Sequence, residues 1–359
     1  MRAYLIFSVS ARLSCARQEI VGGVFLRKSL VWVSVIALSL SLLLAGCGRK
    51  DEADTKIRIG EVTRSIFYAP QYVALTNGFF EDEGLDVELT TTPGGDKTMT
   101  ALLSNNIDVA LVGSETSIYV TLRGSDDPVI NFAQLTQTDG TFLLSRNKID
   151  NFDWSMLKGS KFLGQRKGGM PQMAGEFTLK KHGIDPHNDL ELIQNVEFAN
   201  IVPAFTSGTG EYVQLFEPSA TLLEQQGKGY VVASFGTESG HLPYTVFMTK
   251  QSFIDQNPEA VQKFTNAVHK GQKWVQEHSV NEIADAVAPF FPDTDIELIR
   301  GVVKRYKDQG SFATDPIIDE AEWNNLQDVM KSAGELDAPA DYGKLVNNTF
   351  AEEAIKNVK

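Results

Sequence analysis

Two cations and two glycines, Arg166, Lys167, Gly168 and Gly169, run into Met170 and Pro171 where the pattern starts a helix. A guanidinium and an ammonium beside a glycine turn and free helix N–H groups can cradle a sulfonate, phosphate or carboxylate. The same charges on an exposed turn would simply be solvated. The glycines let backbone approach a ligand closely, although a plain tight turn would use them as well. A second cluster is Gly113, Ser114, Glu115 and Thr116. Ser114 either caps the helix that follows or donates to a ligand. Glu115 is either a first-turn acid favoured by the helix dipole or a ligand acceptor. Facing a cleft, it favours an amine or a ring N–H over a bare anion. Phe67 and Tyr68 could stack on a flat ligand, with core packing the competing role for Phe67.

Catalytic chemistry finds little to work with. The five histidines, His182, His187, His241, His269 and His278, form no metal-spaced pair beside a carboxylate-rich helix. No nucleophile elbow or phosphate loop is present. The expectation is a protein that binds rather than reacts, without metal or cofactor.

The elements that must position these residues alternate. Residues 57–62 read as a strand, 70–77 as a helix with Pro70 in its first turn and Gly78 behind it. Strand 87–91, helix 98–104, strand 107–112 and helix 115–122 follow, then strands 129–135 and 141–145. A second series comprises strand 161–164, helix 172–182, strand 190–196, a short helix before Ser207, strand 212–216, helix 221–226 and strand 230–235. Such alternation predicts an α/β fold of two mostly parallel sheets covered on both faces. From Pro258 the pattern is helical, with Val261, Phe264, Val268 and Val275 at helical spacing behind an Asn257 cap. Segments 283–288, 296–306 and 323–330 continue it.

The amino terminus carries an address. Residues 30–45 are apolar apart from three serines, follow Arg27 and Lys28, and end in Leu44, Ala45, Gly46 and Cys47, the order of a signal peptide. About 20 apolar residues are needed to span a bilayer, so cleavage is expected rather than anchoring by a span. The last four residues resemble the bacterial lipobox, which implies that Cys47 becomes the lipidated first residue of a 313-residue mature chain. Translation is expected to start near Val24, because residues 1–23 add a preamble to an already complete signal. Residues 47–56 read as a charged tether. With Cys15 removed and Cys47 lipidated, no disulfide or thiol chemistry is left. Removing five basic and one acidic residue takes the formal charge from −13 to −17, which repels nucleic acid.

The segments GEVTRSIFYAPQYVALTNGFFEDEGLDVEL, LLSNNIDVALVGSE, GQRKGGMPQMAGEFTLKKHGIDP, FEPSA and NPEAVQKFTNAV resemble the solute-binding proteins of ABC importers for nitrate, sulfonates, taurine and thiamine pyrimidine precursors. The resemblance covers nearly all of the mature chain. It implies a periplasmic-binding-protein-like type II clamshell. Lobe I would hold residues 57–143 and 247–359, lobe II residues 144–246, with hinge crossings near 134–146 and 244–249. Ligand would sit outside the carboxyl ends of the strands, beside helix amino termini. That selects loops 63–68, 113–116, 137–141, 166–170 and 216–219, and within them Ser65, Thr138, Asp139 and Glu217 besides the residues already named. Glu217, before Pro218, matches a family pattern in which the acid accepts from ligand or braces the fold, and Asp139 has the same two roles open.

The expected protein is a monomeric, lipid-anchored receptor on the extracytoplasmic face of the cell membrane, delivering a small sulfonate, oxyanion or aminated heterocycle to an ABC permease and ATPase. A pyrimidine synthase on the same fold is the enzymatic alternative, and the cysteine that such synthases use is missing here. A sensor presenting its closed form to a membrane kinase is the third.

Overall fold

The computed structural model describes residues 55–358. The signal segment 1–46, Cys47 and all but the end of the 47–56 tether lie outside the described residues. Strand β1 (Thr55–Glu61) leads through a short 3-10 turn (Ile66–Tyr68) into α1 (Ala69–Thr76) and α2 (Phe79–Asp82). There follow β2 (Leu85–Thr91), α3 (Gly95–Leu103), β3 (Val109–Gly113), α4 (Glu115–Leu122) and β4 (Val129–Thr136). The chain then builds β5 (Thr141–Ser145), β6 (Lys161–Leu163), α5 (Met170–Lys181), β7 (Glu191–Ile193), α6 (Ile201–Thr206), β8 (Tyr212–Phe216), α7 (Ser219–Gln225), β9 (Tyr230–Ser234) and α8 (Phe235–Ser239). It returns in β10 (Thr245–Lys250) and ends in helices: α9 (Gln251–Gln256), α10 (Pro258–Glu277), α11 (Val280–Val287), α12 (Ile296–Gln309), α13 (Glu320–Ser332), α14 (Tyr342–Leu345) and α15 (Thr349–Asn357).

The strands form two five-stranded sheets, ordered β2-β1-β3-β10-β4 and β7-β6-β8-β5-β9. Four strands of each run the same way. The exception is the strand just after a crossing: β10 is antiparallel to β3 and β4, and β5 to β8 and β9. The expectation of mostly parallel sheets therefore holds, with one reversed strand in each. Both reversed strands are ones in which the chain arrives from the other sheet.

Apolar spacing places the first core. Val261, Phe264, Val268 and Val275 of α10 are all buried, and the Phe264 ring lies 5.1 Å from Phe80, 5.0 Å from Phe247 and 5.8 Å from Phe132. Burying such rings is the dominant stabilising term, about 25 cal/mol per Å². Edge strand β4 is buried along its whole length. Val346 and Phe312 bridge to it, so this edge is covered rather than open.

Several boundaries differ from the sequence reading, and glycine accounts for two of them. Helices α3 and α5 start at Gly95 and Met170 because Gly94 and Gly169 stand at their caps. The strand expected over 190–196 is only Glu191–Ile193. Asn257 occupies the cap position of α10, but its amide donates to the Phe253 carbonyl at 3.2 Å and makes no cap.

Candidate ligand-binding site

Between the two sheets lies a cavity of about 670 Å³. The first-sheet side presents the start of α4, the start of α3 and the 3-10 turn; the second-sheet side presents loop 165–170 and the start of α5. These are carboxyl ends of strands running into helix amino termini, where N–H groups lack intrahelical partners. Of the residues singled out by sequence, Tyr68, Glu115, Thr116, Arg166, Lys167, Gly168, Gly169 and Met170 line this cavity.

Glu115 is the most deeply set charge. Its side chain folds back over Gly113, so that a Cβ at 113 would stand 2.1 Å from Oε2 and 2.6 Å from Oε1. Only glycine leaves that space. Oε1 accepts the Met170 N–H at 3.2 Å, joining the start of α4 to the start of α5. Oε2 is buried with no hydrogen-bond partner. Burial pushes the carboxyl up from its ordinary 4.5 to about 7, opposed by backbone N–H groups, because removal from water disfavours the charged form.

The cations of loop 166–170 are already paired. Arg166 Nη2 donates to Asp96 Oδ1 at 2.7 Å and Nη1 to both Glu197 oxygens at 3.3 Å. Lys167 Nζ lies 3.9 Å from Glu335. Gly168, at φ +91°, directs its N–H to Gln172 Oε1 at 2.9 Å. The Thr116 hydroxyl donates to the Gly113 carbonyl at 2.7 Å. Tyr68 and Tyr244 contribute buried phenols to the wall. Burial and the nearby carboxylates of Glu61 and Glu115 raise the Tyr68 phenol, and burial beside Asp139 raises that of Tyr244 well above the tyrosine range.

Six candidates lie outside the lining, each engaged by the protein itself, although Asp139 Oδ2 stays buried without a partner. The Ser65 hydroxyl donates to the Glu217 carbonyl at 3.0 Å and accepts the Phe67 N–H at 3.3 Å. Phe67 is wholly buried, with ring centroids 5.0 Å from Tyr306 and 5.7 Å from Tyr244, so core packing describes it. Ser114 neither caps α4 nor faces the cavity; its hydroxyl donates to the Pro243 carbonyl. Thr138 contacts the Ser311 hydroxyl at 3.1 Å. Asp139 accepts the Thr141 N–H at 2.6 Å, and burial, partly offset by Thr141, lifts its carboxyl to about 6. Glu217 is the brace: it pairs with Arg305 and accepts from the Thr221 N–H at 2.9 Å and hydroxyl at 2.8 Å.

Sequence reasoning missed Asp96, Tyr119, Gln165, Tyr244 and Glu335, all in the lining. Gly94-Gly95-Asp96 carried a usable signal, since it repeats the glycine-then-helix arrangement of the other two loops. Glu335 carried none, because only the packing of α13 on α5 brings it near.

A family model described as the NMT1-like family matches residues 50–289. A Bacillus subtilis (strain 168) protein named "Putative binding protein YtlA" is 58% identical over 317 residues, covering 88% of this chain and 95% of that one. Among solved structures, the alkanesulfonate-binding protein SsuA from Xanthomonas axonopodis pv. citri, bound to MOPS, superposes with a TM-score of 0.65 at 16% identity, over 82% of this chain and 99% of that one. The periplasmic nitrate-binding protein NrtA from Synechocystis PCC 6803 gives 0.66 at 20% identity, over 85% and 89%. These two share the periplasmic-binding-protein fold with it.

Proposed function

The chain belongs to the NMT1-like family, and from that premise we propose that it is the solute-binding receptor of an ABC importer, held on the extracytoplasmic face of the membrane by lipid on Cys47. It takes a small sulfonate, oxyanion or aminated heterocycle into the cavity between the sheets and delivers it to a permease and its ATPase. The observation that carries this reading is the cavity lined from both sheets. A ligand there touches both bodies at once and so can bias their relative position. Segments 137–140 and 240–244, where the chain passes from one sheet to the other, would serve as the hinge between a lobe built on the first sheet and a lobe built on the second. Tyr68, Glu115, Thr116 and residues 168–170 would contact the ligand, and Arg166 and Lys167 would pair across the cavity.

A lipid anchor suits a receptor whose described residues contain no helix long and apolar enough to cross a membrane. Tethering keeps the receptor near its permease and raises its effective concentration there.

Calorimetry and thermal-shift titration with nitrate, alkanesulfonates, taurine and aminopyrimidines test the ligand classes; at least one is expected to bind at micromolar concentration and raise the melting temperature. Silence across all of them at millimolar concentration would remove these classes. Mass spectrometry of membrane-extracted protein tests the anchor, with Cys47 expected as a diacylglyceryl-modified first residue.

A further inference from the structure

We propose that the Glu115 carboxylate reads the ligand in this cavity and selects a solute bearing an N–H donor, an amine or an amino-heterocycle, over a bare oxyanion. This rests on the receptor reading above and narrows it.

The first ground is an unfilled hydrogen bond. Of the two buried Glu115 oxygens, Oε1 has the Met170 N–H and Oε2 has no partner. Leaving a buried acceptor unpaired is costly, more so for a charged one, and a donor on the ligand would relieve that cost. Gly113 leaves the space that the carboxylate occupies, and a Cβ there would displace it.

The second ground is what the wall withholds from an anion. Arg166 is engaged by Asp96 and Glu197, and Lys167 faces Glu335. The Met170 N–H at the start of α5, where an oxyanion would dock, already holds Glu115. Arg123 is the one lining cation without an ion pair among the described residues, and it is exposed at the far end of α4. Above about pH 7, where the Glu115 carboxyl is ionised, a bare oxyanion entering the depth of the cavity would thus meet a carboxylate, with the nearby cations neutralised. Tyr68, Tyr119, Phe198 and Tyr244 also line the space, and aromatic residues suit a flat ring.

Matched probes isolate the donor. Taurine and isethionate share a sulfonate and differ in ammonium against hydroxyl; 4-aminopyrimidine derivatives and their 4-oxo analogues differ at the exocyclic amine; nitrate has no N–H. Isothermal titration of full-length protein at pH 8, where Glu115 is ionised, is expected to show the amino member of at least one pair binding at least tenfold more tightly than its analogue. In Glu115→Gln that preference should fall below threefold, while Glu115→Asp, which keeps the charge, should retain its direction. Melting curves of both variants establish that they fold. Equal or tighter binding of the analogues or nitrate by the natural protein overturns the proposal and leaves the receptor reading standing. So does a preference unchanged in Glu115→Gln. No binding by any probe overturns both.

Discussion

Two of the places that join the first-sheet and second-sheet bodies are built on opposite plans. At the inner seam, the Tyr306 hydroxyl donates to the Gly140 carbonyl at 2.9 Å and accepts the Glu217 N–H at 3.1 Å. Arg305, beside it on α12, pairs with Glu217 and reaches Glu224 at 3.2 Å. Phe67 packs into the same seam, and Ser65 closes it through the Glu217 carbonyl. At the cavity, the polar contacts between the bodies are sparse: one N–H on Glu115, the exposed Arg166 to Asp96 pair, the loose Lys167 to Glu335 pair and the Tyr119 hydroxyl 3.7 Å from Met173 Sδ. At the seam Tyr306, Glu217 and Arg305 all find partners within the chain, and of the acids there only Asp139 keeps an unpaired oxygen, Oδ2. The cavity leaves a buried oxygen unanswered. Polar residues of the same types thus become a brace or a receptor surface according to whether the chain supplies every partner.

The strongest way to break this contrast is to remove a seam partner. Glu217 is fully buried while Arg305 is 30% exposed, so Arg305→Leu strands a carboxylate that burial already disfavours. Losing one member of a buried pair costs about 3–5 kcal/mol, and partial exposure of Arg305 puts the expectation near the lower end. Urea unfolding measures it. A loss under about 1 kcal/mol would deny the seam its bracing role.

The cavity predicts the opposite sign. In the native state Glu115 keeps its proton up to about pH 7, whereas an ordinary glutamate releases it near 4.5. The native state therefore binds more protons than the unfolded state between those values, and stability falls as pH rises through that window. Glu115→Gln removes the penalty. It should leave stability unchanged below about pH 4.5 and raise it by about 3–3.5 kcal/mol above pH 7, at roughly 1.4 kcal/mol per pH unit over that window. Melting temperatures of both proteins across pH 4–8 check this, and parallel curves would mean that Glu115 carries no unmet cost.

The α/β plan, the restart of the series and the helical tail were legible because apolar periodicity is a local property. Segments 141–145 and 212–216 were read at their observed bounds for that reason. Glycine-led loops identified the cavity on both sides, since a close approach leaves a mark in residue type. What stayed illegible was direction. Ser65, Ser114, Thr138, Asp139 and Glu217 sit on or beside the right loops, but their side chains turn toward partners such as Pro243, Ser311 and Arg305, distant in sequence and set by the return through β10 and the docking of α12. No local pattern encodes that choice.

The smallest expected effect is the most specific to the cavity. Arg166 and Asp96 are 37% and 57% exposed, so water and salt screen their attraction, and such pairs contribute about 0.2–1 kcal/mol. Arg166→Ala should hardly move the unfolding midpoint, in contrast to Arg305→Leu. The pair nevertheless spans the two bodies, so whatever it contributes favours their approach and adds to the binding of any ligand held between them. Affinity for the ligand found by titration should weaken by up to about fivefold, which corresponds to the same 1 kcal/mol. Because the pair is exposed, the difference between natural and Arg166→Ala protein should shrink at 1 M salt, where the screening length is about 3 Å. A salt-independent difference would instead mean that Arg166 leaves Asp96 and touches the ligand directly.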